Sequence, residues 1–115
     1  MKALSKSRLA IALSKLKGFT APKLLDEQYT TDSETAADAL WFAYMSNNVH
    51  GKVIADLGCG TGILGIGCLL LGAEKVYFVD SDEEALKVAA SNLKSLKLSK
   101  KAIIVASGIA QFWVP

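Results

Sequence analysis

Residues 53–62 read V-I-A-D-L-G-C-G-T-G, and this stretch constrains the fold more than any other. An apolar run ends in Asp56, glycines follow at alternate positions (Gly58, Gly60, Gly62), and a second apolar run, 63–71, begins at once. That order predicts a buried parallel strand, a tight turn and a helix start. Glycine suits such a turn where φ is positive or where a ligand must approach the main chain closely. The N–H groups and dipole of the helix start then face a polar or anionic ligand. The loop is therefore expected to hold a nucleoside-type cofactor.

The flanking pattern extends this to a fold. Residues 52–57 (K-V-I-A-D-L), 75–80 (K-V-Y-F-V-D) and 101–106 (K-A-I-I-V-A) read as strands, with helices expected over 63–71 and 81–96 between them. The second helix should face inward through Ala85, Leu86, Ala89, Ala90 and Leu93. Strands alternating with helices imply a parallel sheet with right-handed crossovers. The expected class is α/β: the N-terminal half of a Rossmann-like, doubly wound sheet, strand order 3-2-1, preceded by two helices. Gly65 and Gly67 fall inside a predicted helix at a cost of about 1 kcal/mol each, tolerable if that helix packs very close to the sheet.

Two helices precede the sheet. Over 2–17, Leu9, Leu13 and Leu16 share a face, and Gly18 is the expected stop. Residues 1–25 hold six cations and no acid. A packing helix with a solvated basic face, a helix touching nucleic-acid phosphates and a mitochondrial transit peptide all fit that composition. The expected domain division is this helix, 1–18, and a cofactor-binding unit, 19–115. The connector 19–31 ends in Gln28, Tyr29, Thr30 and Thr31, a usable hydrogen-bonding set. The next helix starts at Asp32 or Ser33 and buries Ala37, Leu40, Trp41 and Tyr44. Thr31 with Glu34, and Ser81 with Glu84, have capping-box spacing. His50 reads as a solvated turn residue.

Composition excludes other classes. The chain has 115 residues, is 51% hydrophobic and carries a net charge of +2, which suits one small packed domain. Cys59 and Cys68 lack metal-ligand spacing, and with His50 as the lone histidine no zinc site is expected. Reduced thiols in a cytoplasmic protein are the simplest reading. No apolar run reaches the ~20 residues of a membrane span.

Asp80 ends the second strand, 18 positions after Gly62, where an acid can accept hydrogen bonds from both ribose hydroxyls. Gly60-Thr61-Gly62-Ile63-Leu64-Gly65 also satisfies the dinucleotide string G-x-G-x-x-G, so a nicotinamide dinucleotide enzyme stands as an alternative. Asp56 argues against it, because a carboxylate beside a pyrophosphate is repelled. Beside an ammonium or sulfonium group it is favourable, and D-x-G-x-G-x-G therefore points to S-adenosylmethionine.

V-I-A-D-L-G-C-G-T-G followed by Asp80 resembles the first two motifs of class I S-adenosylmethionine-dependent methyltransferases. D-E-Q-Y-T-T at 26–31, ahead of D-A-L-W-F-A-Y, resembles the L-E-Q-Y-x-T signature of the small archaeal and eukaryotic enzymes that methylate adenine N6 in ribosomal RNA. The resemblance runs from about Leu24 to about Leu96. It implies cofactor contacts from Gln28, Tyr29, Thr31, Asp56, Gly58, Gly60, Thr61, Gly62, Ile63 and Asp80. It implies RNA as a partner, with self-association or a small activator subunit. Asp26 replaces the usual Leu. Gly108 stands where the family has an acid near the adenine ring, so weaker cofactor binding is expected. The family's catalytic Asn-Pro-Pro-Phe, which orients the target amino group, occurs nowhere in these 115 residues. The chain therefore reads as cut short before that motif, with no catalytic residue present. The alternative is a non-catalytic cofactor-binding or dimerising module with an open, apolar strand edge.

Overall fold

The computed structural model describes residues 5–18 and 32–108. In order, these form α1 (Lys6–Ser14), α2 (Ser33–Met45), β1 (Val53–Leu57), α3 (Ile63–Leu70), β2 (Lys75–Asp80), α4 (Glu83–Ser95), a 3₁₀ turn (Ser99–Lys101) and β3 (Ala102–Ala106). The strands make one parallel sheet in the order β1-β2-β3, as the alternating pattern requires. Asp56 pairs with Phe78 and Asp80 with Ala106 in register. The carboxyl ends of β1 and β2 thus lie side by side, with Asp80 one residue beyond the last β1–β2 pair.

The centre of the core is α3, whose residues 65–69 are all buried. A Cβ on Gly65 would overlap the ring of Phe78, and one on Gly67 would overlap Leu40 of α2. The two helical glycines therefore let α3 approach the sheet on one side and α2 on the other. Ile66, Val76 and Phe78 fill the first contact; Leu9, Leu13, Ala37 and Leu40 fill the second. The basic N-terminal helix shares this core through Leu9 and Leu13. On the opposite face of the sheet Val53 is 58% and Ile103 37% exposed. A doubly wound fold places its second helical layer on that face.

Several boundaries differ from expectation, each for a local reason. α1 ends at Ser14, before Gly18, because the Lys17 backbone is diverted. Its N–H donates to Asn92 Oδ1 at 2.9 Å, and its carbonyl accepts from Asn92 Nδ2 at 2.9 Å. The α2 cap is Asp32, accepting from the Thr35 N–H; Thr31 lies outside the described residues. The α4 cap is Asp82, accepting from the N–H groups of Glu84 and Ala85, in place of Ser81. Lys52 precedes β1, and Lys101 belongs to the 3₁₀ turn. Ala90 is exposed, because the inner stripe of α4 turns through Ala85, Leu86, Ala89, Asn92 and Leu93. His50 is exposed and packs against Gly72.

Candidate functional site

The glycine turn is built from both strands. The N–H groups of Gly58 and Cys59 donate to the Val79 carbonyl at 2.7 and 3.0 Å, pinning the start of the turn to β2. Gly58, Gly60 and Gly62 all have positive φ, at 72°, 56° and 94°. The left-handed backbone thus explains the alternate glycines. Gly62 is doubly constrained, since a Cβ there would lie 3.2 Å from Ala89 and 3.3 Å from Ile66. Gly60 is the converse: nothing lies within 4 Å of where its Cβ would be, so the turn presents open backbone there.

Two carboxylates bracket this backbone. Asp80 Oδ2 accepts from the Gly60 N–H at 2.8 Å, and Asp80 Oδ1 from the Asp82 N–H at 2.8 Å. Each oxygen keeps a further lone pair for a ligand hydroxyl. Asp56 Oδ2 accepts from the Gly65 N–H at 3.0 Å. Gly62, at the N-cap of α3, has no side chain to cap it, so an acid from the preceding strand closes the first turn. Burial raises the Asp56 pKa above its ordinary 3.8, the Gly65 bond opposes this, and repulsion from Asp80 adds to it. Two repelling acids beside open backbone favour a ligand with positive charge and hydroxyl donors.

The neighbouring thiols are inert. Burial, with repulsion from Asp56 and Asp80, pushes Cys59 up to about 12, and burial pushes Cys68 up to about 11. Both are free and buried, as reduced core cysteines should be. Among the described residues no group of acids, cysteines and histidines could hold a metal ion, and no helix is long and apolar enough to cross a membrane.

The turn and the two acids named from sequence are thus brought together: Asp56, Gly58, Gly60, Thr61, Gly62, Ile63 and Asp80. Gln28, Tyr29 and Thr31 lie outside the described residues. Sequence reasoning missed Asn92. It is 3% exposed, and besides its two bonds to Lys17 it donates from Nδ2 to the Thr61 carbonyl at 3.2 Å. One side chain therefore ties the exit of α1 to the glycine turn. Its signal was a polar residue on the inner stripe of an otherwise alanine- and leucine-lined helix face.

A parallel sheet opening on a glycine turn, with an acid at the carboxyl end of each of two adjacent strands, defines a Rossmann-like domain, and known proteins place it among the methyltransferases. Residues 30–112 match the family model for ribosomal protein L11 methyltransferase (PrmA), and the chain belongs to that methyltransferase family. It is 42% identical over 95 residues to an uncharacterised protein of Methanocaldococcus jannaschii, covering 83% of this chain and 42% of that protein. It is 36% identical over 91 residues to the rRNA N(6)-adenosine-methyltransferase METTL5 of Danio rerio, covering 78% of this chain and 44% of that protein. The crystal structure of a proposed RNA methyltransferase from Pyrococcus horikoshii superposes with a TM-score of 0.86 at 48% identity, over 93% of this chain and 52% of that one. The chain thus spans less than half the length of these two curated relatives.

Proposed function

We propose that the glycine turn binds S-adenosylmethionine and that this chain is the cofactor-binding part of an RNA adenine N6-methyltransferase, ribosomal RNA being the substrate class. The observation that carries the reading is the pair Asp56–Asp80 around the open backbone at Gly60. The donor set fits the cofactor: Asp80 would take the ribose hydroxyls, Asp56 would lie toward the amino-acid ammonium, and the turn's backbone would lie against the nucleoside. The family resemblance adds Gln28, Tyr29 and Thr31 to that set. When bound, the cofactor supplies an electrophilic methyl on a sulfonium. This chain's residues hold and orient it; no Asn-Pro-Pro is present to orient the acceptor. The RNA acceptor is supported by the named relative METTL5 and by the Gln28–Thr31 signature; the family model itself is named for a protein acceptor.

Near the adenine edge Gly108 supplies no carboxylate, and the Ser107 hydroxyl donates to the Gly108 carbonyl at 3.0 Å. Affinity should accordingly be modest. Titration calorimetry is expected to show binding of S-adenosylhomocysteine and none of NAD. Radiolabelled methyl incorporation into ribosomal RNA by the purified 115-residue chain should be at background. The reverse ligand preference would overturn the cofactor assignment, and methyl incorporation would overturn the division between cofactor-holding and acceptor-orienting parts.

Asp56→Asn should separate the acid's two roles. An amide oxygen still accepts from the Gly65 N–H, so the cap survives. Because the Asp56 pKa is raised on folding, the folded chain binds a proton that the unfolded chain has lost. Stability from this group is full below 3.8 and falls as pH rises through the raised value. The neutral variant is expected to lose that slope and to gain stability at neutral pH. Its affinity for S-adenosylhomocysteine should fall about tenfold or more, the scale of one charge-assisted hydrogen bond. Urea midpoints across pH 3–8, with calorimetry at neutral pH, test both; unchanged affinity would remove Asp56 from the ligand site.

A further inference from the structure

All eleven acidic residues of the chain fall between Asp26 and Glu84. Of its 13 lysines and arginines, six precede that span and five follow it, leaving Lys52 and Lys75 inside. Solubility does not require such segregation, and the fold gives it a spatial meaning. The C-terminal half of α1 and the residues just after it face the end of α4 across a shared groove, so the two acid-free segments come together there. Between them runs a groove of about 570 Å³, with Arg8, Ile11, Lys15 and Leu16 on one side and Ser95 and Leu96 on the other. Its floor is apolar, and Ile11 is 56% exposed. Lys94 and Lys97, both exposed, continue the positive charge around the end of α4. The α1 cation that is neutralised is Lys6, paired with Asp38 at 3.1 Å. Arg8 and Lys15 have no carboxylate partner among the described residues.

The groove is also coupled to the cofactor turn. Lys17, which follows the groove residue Leu16 in the chain, is bonded through both backbone groups to Asn92, which in turn donates to Thr61. Anything seated in the groove is therefore one buried side chain away from the glycine turn.

We propose that this groove is a docking site for a single RNA strand, with phosphates on Arg8 and Lys15 and a base against Ile11 and Leu96. Unpartnered cations supply affinity for a polyanion, and the apolar floor suits an unstacked base. The proposal rests on the reading of the chain as part of an RNA methyltransferase, and it names the surface that holds the substrate strand outside the chemistry.

The test is fluorescence anisotropy with an adenine-containing single-stranded RNA of about a dozen nucleotides. Wild type is compared with the charge reversal Arg8→Glu/Lys15→Glu and with a charge-matched control, Lys52→Glu/Lys75→Glu. Reversal in the groove is expected to weaken RNA binding about tenfold or more at low salt, and to reduce the log–log salt slope by ~1.4, two single-strand phosphate contacts. The control should retain wild-type slope, and calorimetric affinity for S-adenosylhomocysteine should stay within about twofold in all three proteins. Equal losses in both variants would overturn the groove assignment, leaving net charge as the cause. Absence of RNA binding, or tighter binding of polyglutamate than of RNA, would also overturn it, the second in favour of an acidic protein partner. S-adenosylhomocysteine binding is read separately in each case, so failure of the groove and failure of the cofactor reading are distinguishable.

Discussion

Gly65→Val is expected to lower the thermal midpoint by more than about 10 °C, and Gly65→Ala to destabilise as well, although helix propensity argues the opposite. On propensity alone, alanine at this helical position should stabilise by about 1 kcal/mol. Packing opposes it. The added Cβ would overlap the Phe78 ring and lie 3.0 Å from Val76 Cγ1. Phe78 is fully buried at the centre of the sheet. A buried ring cannot swing aside as the end of a flexible chain can, so α3 or β2 must shift. Overpacking of this kind costs about 1–3 kcal/mol, and more for a branched side chain. For a domain of this size each kcal/mol is worth about 4–8 °C. The Gly65 N–H is also the donor to Asp56, so the displacement reaches the proposed ligand site. Gly67→Ala is the internal comparison. It meets the Cδ1 end of Leu40, a side chain that can rotate, and should cost less. Thermal and urea denaturation of the three variants check the order; a Gly65→Ala protein more stable than wild type would refute the close-packing account.

Much of this architecture was readable because its signals are periodic or chemically unusual. The three strands alternate with helices at a spacing that leaves a parallel sheet as the natural solution. The alternate glycines mark left-handed backbone that few other residues adopt, and Asp80 stands out as an acid ending an apolar strand. Finer choices were not readable where adjacent residues could do the same job. Thr31 and Asp32 are both good caps, as are Ser81 and Asp82. In the structure Asp32 and Asp82 make the capping bonds. Asp56 was legible as a charge awaiting a partner but not as a cap. That role exists because Gly62, required for its positive φ, has no side chain to offer. Asn92 was hidden for a similar reason. Its partners are backbone groups of Lys17 and Thr61, far away in the chain, and no local pattern records them. The end of α1 follows from the same contact.

Asp80 carries the largest expected effect on binding. Asp80→Ala should weaken S-adenosylhomocysteine binding at least about 100-fold, since the two charge-assisted hydrogen bonds proposed from Asp80 to the ribose hydroxyls would each be worth about 1.5–3 kcal/mol. It should also loosen the turn, because the N–H groups of Gly60 and Asp82 lose their shared acceptor, a cost of about 2 kcal/mol. Asp80→Asn is the sharper experiment. The two N–H groups approach different carboxylate oxygens, and an amide has one oxygen and one NH₂. One donor must then face another donor, so the near-isosteric variant should recover little of the lost affinity or stability. A further consequence concerns Asp56, whose pKa the Asp80 charge helps to raise. With that charge removed, Asp56 should titrate closer to its ordinary value, moving the pH at which the folded chain loses this proton downward. Calorimetry at a temperature where each variant is folded, urea midpoints and an NMR titration of the Asp56 carboxyl carbon together read the three effects. Wild-type affinity in Asp80→Asn would remove Asp80 from the ribose role and leave it as the brace between β2 and the glycine turn.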